Sequence, residues 1–372
     1  MASATSPSNP RESHPPLRIA LLAAPMEPVP PVAYGGTERV VAALAEELAR
    51  RGHDVTVFAS GDSKVSARLV PVIPVALWRR GYRGDVSSFI AAGIAECWRR
   101  ADEFDVIHSH VEGLGFLMAR HCPTPVLSTL HGRLDSFGMP QLLNAFRDVP
   151  LVAISHSQRR WAPEANWVAT IHHGLPLDRA PFGDRPGEYL AFVGRCTPEK
   201  GVAEAIELAT LSGMPLRMAA KVHDPEEQEH FEEVVRPAID DGRIDWLGEL
   251  PPAQRDPMLA SALATLMLGA WPEPFGLVAI ESLACGTPVI ARRAGALPEI
   301  VEHGVDGFLV DDVAEARLAV ELAPRLNREE IRRRALARFG VERMTDAYEN
   351  AYRALLSARR ALRPVPASRD AA

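Results

Sequence analysis

The sequence predicts an α/β protein built as two Rossmann-like domains facing across a cleft. Three observations carry that expectation. Strand-length apolar runs alternate with helix-length amphipathic segments, the pattern of parallel sheets covered by helices on both faces. The alternation weakens once, over residues 176–188, and then restarts without an internal repeat. The chain has 372 residues, 47% of them apolar, enough for two separate cores.

In the first half, residues 17–25 (LRIALLAAP) read as a buried strand followed by a Pro-rich loop ending in YGG. A helix then spans residues 37–53, with Thr37 as its N-cap and Gly52 as its stop. Residues 53–60 form a strand, 87–104 a helix, 104–110 a strand, 112–122 a helix and 125–132 a strand. Two short strands follow at 151–157 and 166–174. After the linker come a strand at 189–195, a helix at 196–213, a strand at 215–222 and a helix at 226–240. Strands at 244–250, 264–269, 288–293 and 307–312 follow, with a short helix in LVAIESLAC stopped by Gly286. A long amphipathic helix occupies 328–363.

Composition narrows the function. A net charge of -7 opposes nucleic acid as a main partner, since phosphate backbones need broad basic surfaces. Cys97, Cys122, Cys196 and Cys285 lie far apart without a C-x-x-C pair, which suits reduced thiols in a cytoplasmic protein and neither disulfides nor a zinc site. Residues 1–16 are rich in Pro and Ser and lack an apolar stretch; they read as a disordered tail and not a signal peptide. The longest mostly apolar run, 259–271, falls short of the ~20 residues of a spanning helix, while peripheral membrane contact stays open. Only three lysines occur, Lys64, Lys200 and Lys221, so the position of each carries information.

In parallel sheets ligands bind beyond the carboxyl ends of the strands. Gly35-Gly36 opens a helix there, where backbone N–H groups favour an anion; a plain tight turn is the alternative. His108, His110 and His131 fall at or beyond strand ends without an acidic partner set, so a metal is not expected. His131, before a glycine, points to the cleft or makes a structural hydrogen bond. Arg195 ends a strand and Lys200 follows five residues later across a Pro-containing loop, a fork and an ammonium suited to a diphosphate. In EPFGLVAIESLACGTPV, Glu273 sits in a loop with Pro274 and Gly276, and Glu281 lies in the helix that follows; a carboxylate in such a helix is often only a solvated edge. WRRGYRG (78–84) and SQRRW (157–161) mix Arg with aromatics; they read as solvated surface, with contact to an anionic acceptor or a lipid headgroup as the alternative.

Taken together, FVGRCTPEKG, EPFGLVAIESLACGTPVIA, GALPEIVEHGVDGFLV and ERMTDAYENAYRALL resemble the family-4 (group 1) retaining glycosyltransferases, which have the two-Rossmann GT-B fold. YGGTERVV, DVIHSH, LHG and VAISHS extend the similarity over residues 17–357, more loosely before Tyr189. The resemblance implies a first, acceptor-side domain at 17–180, a nucleotide-sugar domain at 181–345, and a helix at 346–363 that returns to the first domain. It implies that Arg195 and Lys200, with Gly36 nearby, hold the donor diphosphate and that Glu281 binds the ribose. Glu273 and the backbone of Phe275, Gly276 and Leu277 would meet the transferred sugar, beside His131; Glu273 and His131 would be the catalytic pair. No metal and no other cofactor is implied, and a uridine nucleotide is the favoured donor. The acceptor, whether small molecule, glycan or lipid-linked, stays unread. Two other readings stay open: an enzyme acting on the donor alone, such as an epimerase or another GT-B enzyme, and a non-catalytic nucleotide-sugar binding protein. Cys196, where the family often carries an aliphatic residue, reads as packing.

Overall fold

The computed structural model describes residues 15–361; the tail expected at residues 1–16 falls, up to residue 14, outside that range. Thirteen strands are described: β1 (Arg18–Leu22), β2 (Asp54–Ser60), β3 (Arg68–Ile73), β4 (Val106–Ser109), β5 (Val126–Leu130), β6 (Leu151–Ala153), β7 (Trp167–Thr170), β8 (Leu190–Arg195), β9 (Leu216–Lys221), β10 (Ile244–Trp246), β11 (Ala264–Met267), β12 (Val289–Arg292) and β13 (Gly307–Val310). They form two sheets, of order β3-β2-β1-β4-β5-β6-β7 and β10-β9-β8-β11-β12-β13, and every pairing is parallel. The two-domain Rossmann-like architecture is therefore as expected. Helices cover both faces, so strands such as β5 and β13 are buried along their whole length. Strand order reverses beside β1 in one sheet and beside β8 in the other, and a crevice opens at each reversal.

Several elements differ from the sequence reading. Thr37 does not cap its helix: the helix runs Gly36–Arg50, is preceded by Gly35, and has no side-chain cap. β3 was not expected, because Pro71 interrupts its pattern; it is tolerated because β3 is an edge strand. The helix expected at 112–122 shrinks to a tight turn, Glu112–Gly115, and a helix at Phe116–Ala119. The one expected at 226–240 is interrupted by a π-turn at Phe231–Val235, next to Pro237, which has no N–H to continue the ladder. The helix expected at 196–213 is shorter: Lys200 ends the turn Pro198–Lys200, and the helix Val202–Ser212 starts beyond Gly201.

The expected helix at 328–363 is two helices, Arg328–Phe339 and Val341–Ala361, broken at Gly340. There Leu175 N–H donates to Phe339 O at 3.1 Å and Val341 N–H to Leu175 O at 3.0 Å, and this strand-like bridge pulls Gly340 out of helical geometry. The last helix then lies against Gly36–Arg50 in the first domain. Tyr352 Oη meets His108 Nδ1 at 2.8 Å, and His53 Nε2 meets Glu349 Oε1 at 2.6 Å. One buried apolar cluster runs from Leu21 and Val57 through Phe275 and Ile280 to Phe339 and Tyr348, so the domains share part of their core. Among the described residues no helix is long and apolar enough to cross a membrane.

Candidate active site

A cavity of about 410 Å³ lies between the two sheets at the carboxyl ends of their strands. Two helix starts face each other across it. Gly36 opens one helix and Leu277 the other (Leu277–Ala284), and a Cβ on Gly36 would stand 3.2 Å from the Leu277 side chain. Neither helix has a side-chain cap, and among the described residues the amides of Gly36, Thr37, Leu277 and Val278 donate to no protein acceptor. Free amides at two helix starts favour an anion between them. Gly276, at φ 110°, makes this turn in a region that side chains disfavour. The preceding loop is clamped by Gly295, where a Cβ would come within 2.4 Å of the Glu273 backbone.

The second domain supplies most of the charge. Arg195 ends β8, with Nε 2.6 Å from Glu227 Oε1 and Nη2 3.3 Å from Asp224 Oδ2. Burial pulls its pKa down, but Glu227 outweighs burial and holds it above the ordinary value. Lys200 pairs with Glu273, and its ammonium lies 5.5 Å from the Trp271 ring. Glu281 is buried, not a solvated edge. Its Oε1 takes Arg255 Nη2 at 2.7 Å and also Arg39, which reaches across from the first domain. Burial raises its pKa, yet the two guanidiniums reverse the sign and hold it below the usual carboxylate range. Glu281 Oε2 is buried and has no partner among the described residues, so one acceptor oxygen stays free beside the cavity it lines.

The first domain contributes imidazoles and aromatics. His131, just past β5, pairs through Nε2 with His110 Nδ1 at 2.9 Å, while its Nδ1 has no partner. Glu112 Oε1 accepts from His131 N at 2.8 Å and Gly132 N at 3.0 Å, fixing the loop. Burial pushes the His131 ring down to about 3, so it is a neutral imidazole at ordinary pH. His173 stacks on it at 5.1 Å and meets Phe275 edge-on at 5.0 Å. His108 makes only structural bonds, to Tyr352 and to Thr129 Oγ1 at 2.7 Å. Among the described residues no group of three His, Cys, Asp or Glu converges as a metal site. Cys196 is fully buried packing, and burial pushes its thiol up to about 12.

Residues 34–192 match glycosyltransferase family 4, and residues 179–340 match the family of glycosyl transferases group 1. The chain belongs to this family of glycosyltransferases. A curated relative is the D-inositol 3-phosphate glycosyltransferase of Mycolicibacterium smegmatis, 28% identical over 95% of each chain. Among solved structures, AviGT4, a glycosyltransferase involved in avilamycin A biosynthesis, is 26% identical with a TM-score of 0.70, over 92% of this chain and 98% of that one. HepE of Anabaena, solved with UDP-glucose, shares the fold at 18% identity and TM-score 0.70, over 91% and 100%.

In this glycosyltransferase, Gly36, His131, Arg195, Lys200, Glu273, Phe275, Gly276, Leu277 and Glu281 all line one cavity. Sequence reasoning passed over Glu38, Arg39, Arg255 and His173, and gave Lys221 no role although it noted the rarity of lysine; all five line it too. His173 had a usable signal, since it precedes a glycine after a strand just as His131 does. Arg39 and Arg255 had none, because only their convergence on Glu281 gives them meaning. Trp78 from WRRGYRG faces the cavity, whereas Arg79 is tied to Asp62 at 3.1 Å; Trp161 of SQRRW is exposed and outside it.

Proposed function

We propose that this glycosyltransferase moves a sugar from a nucleoside-diphosphate sugar, with a uridine nucleotide as donor, and that it does so with retention and without a metal ion. The supporting observation is the free Glu281 Oε2 beside an anion-favouring pair of helix starts, with Arg195 and Lys200 lining the same cavity. A carboxylate held ionised by two arginines accepts hydrogen bonds from a pair of ribose hydroxyls. The diphosphate then reaches the amides at Gly36 and Leu277 and the two cations, and the transferred sugar lies between Glu273 and His131. HepE, of the same fold, is solved with UDP-glucose.

Charge develops on the departing diphosphate, and Arg195, Lys200 and the helix amides stabilise it there. These groups stand where a divalent cation would otherwise serve. Retention follows a front-face path in this reading: the acceptor hydroxyl attacks from the side the diphosphate leaves, and the departing phosphate oxygen takes its proton. The neutral His131 ring donates or accepts one hydrogen bond to the sugar without adding charge.

Thermal-shift titration with UDP, GDP, ADP and dTDP tests the donor, since a specific ligand raises stability as RT ln(1 + [L]/Kd). UDP is expected to give the largest shift; equal small shifts would remove the reading. NMR of the first product is expected to show the donor's anomeric configuration. Conversion of donor without any acceptor would instead mark an epimerase.

A further inference from the structure

His110 is one of the strand-end histidines that the sequence singles out, and it stands behind His131, outside the lining of the cavity. Its place is fixed from three sides. The His110 amide donates to Leu22 O at 2.9 Å, which ties the residue to β1. The His108 ring packs on its ring at 4.0 Å, and His108 is held in turn by Tyr352 and Thr129. The third side is His131, whose Nε2 lies 2.9 Å from His110 Nδ1. Two residues further on, Glu112 accepts from the His131 and Gly132 amides. It does so at φ 50°, the one positive φ of a non-glycine among the described residues, where a side chain is disfavoured. The loop after β4 therefore grips both the ring and the backbone of His131.

That grip decides which nitrogen is left for a ligand. Burial lowers the pKa of both rings far enough that each is a neutral imidazole at ordinary pH. Two neutral imidazoles share a single N–H in their bond, so His131 Nε2 is engaged whichever ring supplies the proton. Only Nδ1 remains, buried and without a partner among the described residues, on a residue that lines the cavity. Buried polar atoms are nearly always hydrogen-bonded, so a bound group is the partner this nitrogen calls for. His173 stacks on the ring at 5.1 Å and limits its rotation. A neighbour that locks one ring nitrogen orients the other, as outer partners do for metal-bound imidazoles.

We propose that His110 is a positioning residue for sugar transfer: by engaging Nε2 it makes Nδ1 the atom through which His131 meets the transferred sugar. The inference rests on the donor reading above. Nitrogen NMR of protein carrying isotope-labelled histidine resolves the two ring nitrogens, and His131→Asn identifies the His131 signals by their loss. The probes are UDP, UDP-glucose, UDP-galactose, UDP-N-acetylglucosamine and UDP-glucuronate. In the wild type, the UDP-sugar that binds best is expected to move Nδ1 and leave Nε2 in place, while UDP alone leaves both. His110→Leu should move Nε2 in the ligand-free protein. It should also weaken that UDP-sugar about tenfold in calorimetry with UDP affinity unchanged, the loss of one well-placed hydrogen bond. His110→Asn sets an amide where Nδ1 stood and should restore the affinity to within about threefold. A residue needed only for packing gives the reverse order, because leucine fills the space better than asparagine. Movement of Nε2 by the sugar, equal movement of Nδ1 by UDP alone, an unmoved Nε2 in His110→Leu, or an Asn variant no better than the Leu variant overturns the proposal. A Leu variant that no longer binds UDP has lost its fold, and the wild-type spectra and His110→Asn then decide. A wild type that binds no UDP strikes the donor reading instead, and the ligand-free Nε2 signal still reports the His110 contact.

Discussion

Glu281 and Glu38 are both almost fully buried carboxylates, and they face the same cavity from opposite domains. Their chemistry is opposite. Glu281 is held below the usual carboxylate range because Arg39 and Arg255 overcome its burial. Glu38 has no such partner, and burial pushes it up to about 7. Glu112, behind His131 in the same first domain, is also pushed up to about 7 by burial, against the pull of two backbone amides. Burial sets the sign for a lone carboxylate and a paired guanidinium reverses it. The second domain thus presents fixed charge suited to a diphosphate and ribose, while the first presents neutral imidazoles, aromatic faces and carboxylates near neutrality.

The largest effect that would break this contrast comes from Glu281→Ala. It leaves Arg39 and Arg255 opposed and desolvated, so we expect a loss of about 3–5 kcal/mol in urea unfolding. In the protein that still folds, donor KM should rise about 10- to 150-fold with kcat nearly unchanged, because in the proposed reading Glu281 holds the ribose equally in ground and transition states. Wild-type stability would mean the three side chains are not coupled. Next comes Lys200→Ala, which in the proposed reading removes a cation from the departing diphosphate. Its kcat should fall about 10²- to 10³-fold, and calorimetry should show UDP losing far more affinity than uridine. Equal losses for both ligands would make the lysine structural.

The carboxylates of the first domain sharpen the comparison through pH. Glu38 and Glu112 have folded pKa values raised from 4.5 to about 7. A raised value means the folded state holds its proton more tightly, so their contribution is complete below about 4.5 and is lost as pH rises to about 7. Each accounts for at most roughly 3 kcal/mol over that window. Urea midpoints of Glu38→Gln and Glu112→Gln, measured at pH 5 and pH 8, should therefore fall less with pH than those of the wild type. Parallel curves would show that neither group titrates in that window. The smallest expected effect is that of EDTA: activity should be unchanged, since the proposed reading draws the positive charge at the diphosphate from Arg195 and Lys200. A reversible need for magnesium or manganese would overturn that.

How far the sequence could be read follows the same division. FVGRCTPEKG is a short stretch from strand into turn in which residue type and spacing mark Arg195 and Lys200, whereas Glu273 and Glu281 in EPFGLVAIESLACG gained their roles from the family resemblance that the stretch carries. In the first domain the lining is drawn from loops after β1, β3, β5, β6 and β7; only residues 33–39 form a continuous stretch of it, and the other loops each add a residue or two that no local pattern marks.

Alternation of apolar runs determined the two parallel sheets, because each strand and helix declares its period within a few residues. Tertiary structure alone decided what those elements do to one another. Arg39 reaches Glu281 across 242 residues, and Lys221 sits between Tyr34 and Trp78. Gly340 leaves helical geometry because Leu175 binds the backbone on both sides of it. None of these pairings has a period or a local cap. They arise where two separately folded sheets dock, and a charge or ring acquires its partner only once both surfaces exist.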